Sequence, residues 1–432
     1  MENLDTLYNK ALDELNNGYA AFHKVGVKAY DPGLGTTLAL AERLGNPHKR
    51  LQCIHVGGTN GKGSTTHTLA SVLQEAGYRV GLYTSPHLLD FRERIRVDGK
   101  MISKEAVVEF VDLLGRIRGE IQPSFFEVAT LMAFWYFERQ KVDVAVIEVG
   151  LGGRLDSTNI ITPILSTITN ISLDHTAILG DSEEAIAREK AGIIKPGVPV
   201  VIGESSGAVR EVFRQKALEC GSKIVFADDH GLASENCGDY IKYTNTPWGE
   251  LHGELTGDCQ SKNAATVVEA LKILSEQLYI PSEAVQRGFA KVEENTGLMG
   301  RWMTVATEPV RVICDTGHNI GGWQYLGPRL CRLANEGGLH VVLGFVSDKD
   351  VEAIMSLLPE NATYYFTEPN VDRRREAAST AAEGARHGLH GQCYANVAQA
   401  YAAAKAEAKR GETVFVGGST FIVAELLEIV SD

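Results

Sequence analysis

The stretch Val56-Gly57-Gly58-Thr59-Asn60-Gly61-Lys62-Gly63-Ser64-Thr65 decides how this chain is read. It lies between a largely apolar run, Cys53 to Val56, and a helical pattern from Thr66 to Ala76, so it is the turn of a strand, turn and helix. Bare amide N–H groups in such a turn, together with the helix N-terminus beyond it, favour anionic oxygens. Lys62 adds a point charge able to reach terminal phosphates. The general phosphate-loop pattern is G-x-x-x-x-G-K-[ST], and the stretch departs from it twice. Val56 stands at the first glycine, and Gly63 separates Lys62 from Ser64 and Thr65. A turn that binds nothing is the plain alternative. Glycines, a lysine and two hydroxyls on one strand-to-helix boundary favour nucleotide phosphate over it.

At 432 residues the chain calls for two domains. Its 42 basic and 55 acidic residues leave a net charge of -13, which argues against a nucleic-acid surface. The expected anionic partner is small and locally bound. Seven scattered cysteines include no C-x-x-C pair, so they read as reduced thiols of a cytoplasmic protein, with no zinc indicated. The N-terminus is acidic and periodic, unlike a secretory signal, and no apolar run approaches the roughly 18 residues of a membrane span.

Outward from the loop, Arg79 to Thr84 reads as a strand, which closes a β-α-β unit and implies parallel strands in a doubly wound sheet. Ligands of such sheets sit beyond the carboxyl ends of the strands, which makes Ser85 a metal or phosphate candidate. The run Val144 to Ile147 is wholly apolar, as a strand buried on both faces should be. Glu148 ends it. A buried carboxylate is costly without a cation, and a hard oxygen donor there suits Mg2+. A third strand, Leu165 to Ile171, leads to Asp174 and His175, so Ser85, Glu148 and His175 are expected to converge at one rim.

Further features carry two readings each. Ser124 followed by Phe125, Phe126 and Glu127 is a capping box, and Glu127 is equally a substrate-facing group. Lys190, in a helix from Ser182 to Ile193, reads as a solvated lysine, and Asn263 as a helix cap or a base reader. Residues 228–258 look like a β excursion. Residues 292–300 look like a linker, which divides the chain into 1–294 and 301–432. Beyond it, strands near 310–314, 340–345, 363–367 and 413–417 alternate with helices. Asp315 to Asn319 again sets polar groups at a strand's carboxyl end, with Arg301 just after the linker. The fold class is α/β, a P-loop-type doubly wound N-terminal domain plus a smaller Rossmann-like α/β C-terminal domain.

The ordered set KAYDPGL, GTNGKGS, TSPHL, EVGLGGRLDSTN, LDHT, REKAGI, QSKNA, GRW and DTGHN resembles the folylpolyglutamate synthase and dihydrofolate synthase family, relatives of the Mur ligases. The extra glycine of the loop is that family's own form. The resemblance implies that Thr59, Asn60, Gly61, Lys62, Gly63 and Ser64 hold ATP phosphates. It also implies that Asn263, Arg301 and Asp315 contact the nucleotide. Ser85, Glu148 and His175 would ligate Mg2+, together with Lys190 as its N6-carboxylated form. Lys62, Lys190 and His318 would be catalytic. Tyr30, Asp31 and Pro32, with Ser124, Phe125, Phe126, Glu127, Leu155, Asp156 and Ser157, would line the pterin substrate.

The implied reaction joins L-glutamate to dihydropteroate and to tetrahydrofolate through an acyl phosphate, in a monomer. Its rivals are folylpolyglutamate synthase activity alone and a Mur-type amino-acid ligase acting on a UDP-sugar. The chain ahead of Val56 is short for the additional domain that second rival expects.

Overall fold

The protein is described from a computed structural model covering residues 2–19 and 33–431, and Tyr30, Asp31 and Pro32 lie outside the described residues. The chain forms two compact units, Met1–Glu254 with Gln260–Leu298, and Leu255–Cys259 with Met299–Asp432.

The first unit is built on an eight-stranded sheet. Its strands are β1 (Cys53–Gly57), β2 (Val80–Tyr83), β3 (Ile95–Val97), β4 (Lys100–Met101), β5 (Val144–Glu148), β6 (Leu165–Ile168), β7 (Val200–Ile202) and β8 (Ile224–Phe226). The order is β4-β3-β2-β5-β1-β6-β7-β8. All neighbours from β2 to β8 run parallel, and only β3 and β4 are antiparallel additions at the edge.

The first β-α-β unit therefore does not pair its own two strands. β5 is inserted between β1 and β2, which brings Glu148 level with Val56 at the start of the glycine turn. The switch in strand order falls at β1, where a doubly wound sheet opens a crevice.

Alternation along β1 and β5 explains why both read as continuous apolar runs. Ile54, Val56, Val144 and Val146 face one core with the helices Lys62–Glu75 and Gln260–Leu274, while Cys53, Ala145 and Ile147 face another with the helix Phe125–Gln140. Each large side chain so buried contributes about 1.5–3 kcal/mol.

Within residues 228–258 a separate antiparallel sheet does form, from β9 (Ala233–Asn236), β10 (Ile241–Thr244) and β11 (Leu251–Gly253). The stretch Val292–Thr296, expected as linker, is instead a short helix of the first unit. Asn295 Nδ2 holds it to the helix Lys62–Glu75 by donating to Ser71 Oγ at 3.0 Å and Glu75 Oε1 at 3.1 Å.

The second unit holds six strands, β12 (Met303–Ala306), β13 (Arg311–Asp315), β14 (Leu339–Leu343), β15 (Thr363–Phe366), β16 (Gly391–Cys393) and β17 (Thr413–Gly417), in the order β12-β13-β17-β14-β15-β16. Five run parallel and β12 is the antiparallel edge. Leu255–Cys259 groups with this unit, where the sequence placed it in the first. Arg329 donates to the Thr256 carbonyl, and Arg329 and Arg332 reach Asp258 at 3.1 and 2.6 Å.

Candidate active site

The glycine turn leaves β1 and enters the helix at Lys62, four residues earlier than the apolar pattern suggested. Its shape is held by residues just beyond β6. Asn170 accepts from Thr59 N–H through its carbonyl and from Asn60 N–H through its side chain, both at 2.9 Å. Thr59 Oγ1 donates to the Ser172 carbonyl at 3.2 Å, and Thr169 Oγ1 donates to the Asn60 carbonyl at 2.5 Å. Asn170 and Ser172 were not singled out from the sequence. Their only signal is polar character at a strand's carboxyl end.

Two glycines are required where they stand. Gly58 has φ 137°, and a Cβ there would lie 1.9 Å from Thr169 Oγ1; Gly61 has φ 81°, and a Cβ there would lie 2.1 Å from Asn263 Oδ1. The second contact places Asn263 against the turn. Asn263 Nδ2 donates to Gln260 Oε1 at 2.9 Å, and Gln260 Nε2 donates to Ser64 Oγ at 3.2 Å. Asn263 thus supports the turn from the neighbouring helix as part of a buried chain that Gln260 completes.

Two lysines converge on one carbonyl. Lys62 Nζ donates to the Gly58 and Thr59 carbonyls at 3.1 and 2.9 Å, and Lys190 Nζ donates to the Gly58 carbonyl at 2.8 Å. Lys190 is 5% exposed, so it is not the solvated lysine its helix pattern suggested. Burial, and then the Lys62 charge, lower its pKa to about 7, against the smaller opposing pull of Asp174 and Asp156. Near neutral pH a large fraction of this amine is uncharged.

Ser85 and Glu148 meet, with the Ser85 N–H donating to Glu148 Oε2 at 3.0 Å. Glu148 is 3% exposed. His175 does not end a strand, since β6 stops at Ile168. It opens the one-turn helix Thr176–Leu179 with φ 51°, and its N–H donates to Asp174 Oδ1 at 2.9 Å. Among the described residues no three His, Cys, Asp or Glu side chains gather as a metal cage. Glu148 and His175 are the only two such groups in the proposed set, whose other members are a hydroxyl and an amine.

The expected substrate residues divide by what they touch. Ser124 caps the helix Phe125–Gln140. Its N–H and hydroxyl donate to Glu127 Oε2 at 2.7 and 2.9 Å, and Thr37 donates to Oε1 at 2.9 Å, so both carboxylate oxygens are used inside the protein. The capping reading holds. Phe125 is 3% exposed and stands edge-on to Phe91 at 5.8 Å, a core position, while Phe126 is half-buried beside Tyr83. Asp156 is buried and accepts from Leu151 N–H at 2.8 Å and Thr158 N–H at 3.0 Å. Burial raises its carboxyl pKa against these bonds. Ser157 is buried and Leu155 half-buried.

In the second unit Asp315 ends β13. Its two oxygens accept from Trp302 N–H at 2.7 Å and Gly317 N–H at 2.8 Å. Burial raises its pKa, chiefly against the Arg301 charge. Arg301 donates to Thr316 Oγ1, and His318 Nδ1 donates to the Thr316 carbonyl at 3.0 Å.

Residues 56–270 match the family model of the Mur ligase middle domain, and residues 300–420 that of the Mur ligase glutamate ligase domain. The dihydrofolate synthase/folylpolyglutamate synthase of Escherichia coli (strain K12) is 35% identical over 412 residues, covering 93% of this chain and 92% of that relative. The solved E. coli FolC in complex with DHPP and ADP has a TM-score of 0.86 at 33% identity and covers 100% of this chain and 99% of its own. A bifunctional folylpolyglutamate synthase/dihydrofolate synthase with Mn, AMPPNP and L-glutamate bound has a TM-score of 0.83 at 31% identity, with both chains covered in full at 100%. Together these define an ATP-dependent ligase of the Mur type. Within that class the chain belongs to the dihydrofolate synthase/folylpolyglutamate synthase family.

Proposed function

We propose that this chain joins L-glutamate to dihydropteroate and to tetrahydrofolate, with ATP activating the acceptor carboxylate. The observation that carries the reading is the pair of lysine amines on the Gly58 carbonyl, beside a glycine turn at the carboxyl edge of a parallel sheet.

The substrate carboxylate attacks the γ-phosphorus of ATP, ADP leaves, and an acyl phosphate forms. The amine of L-glutamate then attacks the acyl carbon and phosphate leaves. The turn's amides, with Thr59, Asn60, Gly61, Gly63 and Ser64, would hold the phosphates. Lys62 would give up its two carbonyl partners for phosphate oxygens, so its charge meets the transferring group where charge develops.

The donor chemistry of Ser85, Glu148 and His175 fits a divalent ion, oxygen donors for Mg2+ with one imidazole. Bound there, Mg2+ would neutralise phosphate charge and orient the oxygens. Lys190 supplies the fourth group. As a neutral amine it can add carbon dioxide, forming an N–C bond and releasing a proton, so that an anion then stands beside Lys62. Its lowered pKa supports that chemistry. In the second unit Arg301 is the proposed nucleotide contact and His318 the proposed catalytic group, with Asp315 holding the backbone at Trp302 and Gly317. Phe126, Leu155 and Ser157 are the proposed pterin contacts, while Ser124, Phe125, Glu127 and Asp156 shape the wall behind them.

Incubation with ATP, L-glutamate and either dihydropteroate or tetrahydrofolate tests the reading. ADP release is expected with both. Release with tetrahydrofolate alone would reduce the chain to a folylpolyglutamate synthase, and release with neither would refute the proposal.

A further inference from the structure

Arg94 is the last residue of the short 3-10 turn Phe91–Arg94 and is only 4% exposed. Placing a guanidinium there is costly, and a well-packed apolar side chain of similar size would serve packing alone as well. Its surroundings show what the charge and the planar donor set are used for. Nε donates to His87 Nδ1 at 2.7 Å, the guanidinium carbon lies 5.2 Å from the centre of the Phe125 ring, and its backbone carbonyl accepts from Thr84 N–H at 3.0 Å. Burial pushes its pKa down, and Tyr83, Glu148 and Glu93 oppose that.

The preceding residue grips the same turn by its backbone. Glu93 accepts from the N–H groups of Leu88, Leu89 and Asp90 at 2.7, 2.9 and 2.8 Å. The segment from Ser85 to Asp90 is therefore fixed at one end by Glu148 on Ser85 N–H, in the middle by Arg94 on His87, and at the far end by Glu93.

We propose that Arg94 is a positioning residue of the ligation, holding His87 and through it the Ser85 to Asp90 turn, so that the Ser85 hydroxyl keeps a set place beside the Glu148 carboxylate. This rests on the proposed role of Ser85 and Glu148 as ligands of the divalent ion. Partners one shell behind the ligands commonly change metal affinity or activity by about 10- to 100-fold when removed. Arg94 also lies against Phe125 at the start of the helix Phe125–Gln140, so one side chain joins the turn that carries Ser85 to the wall of the proposed pterin pocket.

The test compares the wild-type chain with Arg94→Met, His87→Leu, His87→Asn and the double variant Arg94→Met/His87→Leu. Mn2+ is titrated in the presence of AMPPNP by electron paramagnetic resonance, and steady-state turnover is measured beside it. Arg94→Met and His87→Leu are each expected to raise the Mn2+ half-saturation by about tenfold or more and to lower kcat, with KM for L-glutamate unchanged. The double variant should be no worse than the poorer single one, because both remove the same link. His87→Asn presents an amide oxygen where Nδ1 stood and should recover most of the loss.

Wild-type Mn2+ binding in folded Arg94→Met, or multiplied effects in the double variant, would overturn the proposal. Should Arg94→Met fail to fold, His87→Leu, which leaves the guanidinium in place, carries the test. A wild-type chain that binds Mn2+ and AMPPNP yet forms no glutamate amide would refute the proposed function and leave the positioning result standing.

Discussion

The two units each raise polar groups at the carboxyl edge of a parallel sheet, and they treat burial in opposite ways. At the first rim burial acts on a base, and the Lys190 amine is driven toward its uncharged form with a second ammonium, Lys62, beside it. At the second rim burial acts on an acid. The Asp315 carboxyl is raised, yet each oxygen holds a backbone N–H and Arg301 lies close. The first arrangement brings two amines together on the Gly58 carbonyl, with Lys62 also on the Thr59 carbonyl. The second satisfies its own charge. The proposed function puts phosphate and carbon dioxide at the first rim, while the second holds the backbone at Trp302 and Gly317 beside Arg301 and His318.

The largest effect should come from filling the first rim. Gly58→Ala puts a methyl 1.9 Å from Thr169 Oγ1 at a φ of 137°, so the turn must move. AMPPNP affinity by calorimetry is expected to fall at least about 100-fold, given that several phosphate hydrogen bonds are lost together.

A smaller effect separates the rims by the sign of their response to pH. Between about 7 and 10.5 the unfolded chain binds a proton at Lys190 that the folded chain does not, so stability rises with pH across that window. In buffer freed of carbon dioxide, wild type minus Lys190→Met should show a slope approaching about 1.4 kcal/mol per pH unit. Denaturant unfolding at a series of pH values measures it. For Asp315 the folded pKa is raised, so its contribution is present at low pH and is lost as pH rises through the folded value.

The smallest effect is at Asp315 itself. Asp315→Asn leaves one acceptor for two N–H groups and should cost about 1–3 kcal/mol in urea unfolding, with KM for ATP moving only a few-fold. A fall in AMPPNP affinity as large as that of Gly58→Ala would show the second rim to hold nucleotide through this carboxylate, and would erase the contrast.

Much of this contrast was legible along the chain. Apolar runs ending in Glu148 and Asp315, and glycines bracketing Lys62, are local signals, and each holds in the fold. What the chain hid was non-local. Nothing near β1 and β2 announces that β5 will pair between them, since strand order depends on contacts far apart in sequence. His175 looked like a strand end because the strand was read from Leu165 through to Ile171, whereas the ladder stops at Ile168. Glu127 carried two readings until Thr37 and Ser124 were seen to use both of its oxygens. Arg94 lies in a stretch, Leu88 to Ser103, where apolar and charged residues alternate, so nothing local marks it as buried, and Lys190 was distinguished from a surface lysine only by resemblance. Burial is a property of the assembled sheet, so neither could be weighed from its neighbours in sequence.

The central claim is that Lys190 works as a buried neutral amine turned into an anion beside Lys62. Turnover of Lys190→Ala, assayed for glutamate ligation with and without added short carboxylic acids, tests it most directly. The account predicts a loss of about 100-fold or more with partial recovery when the acid is present. Turnover equal to wild type would contradict it.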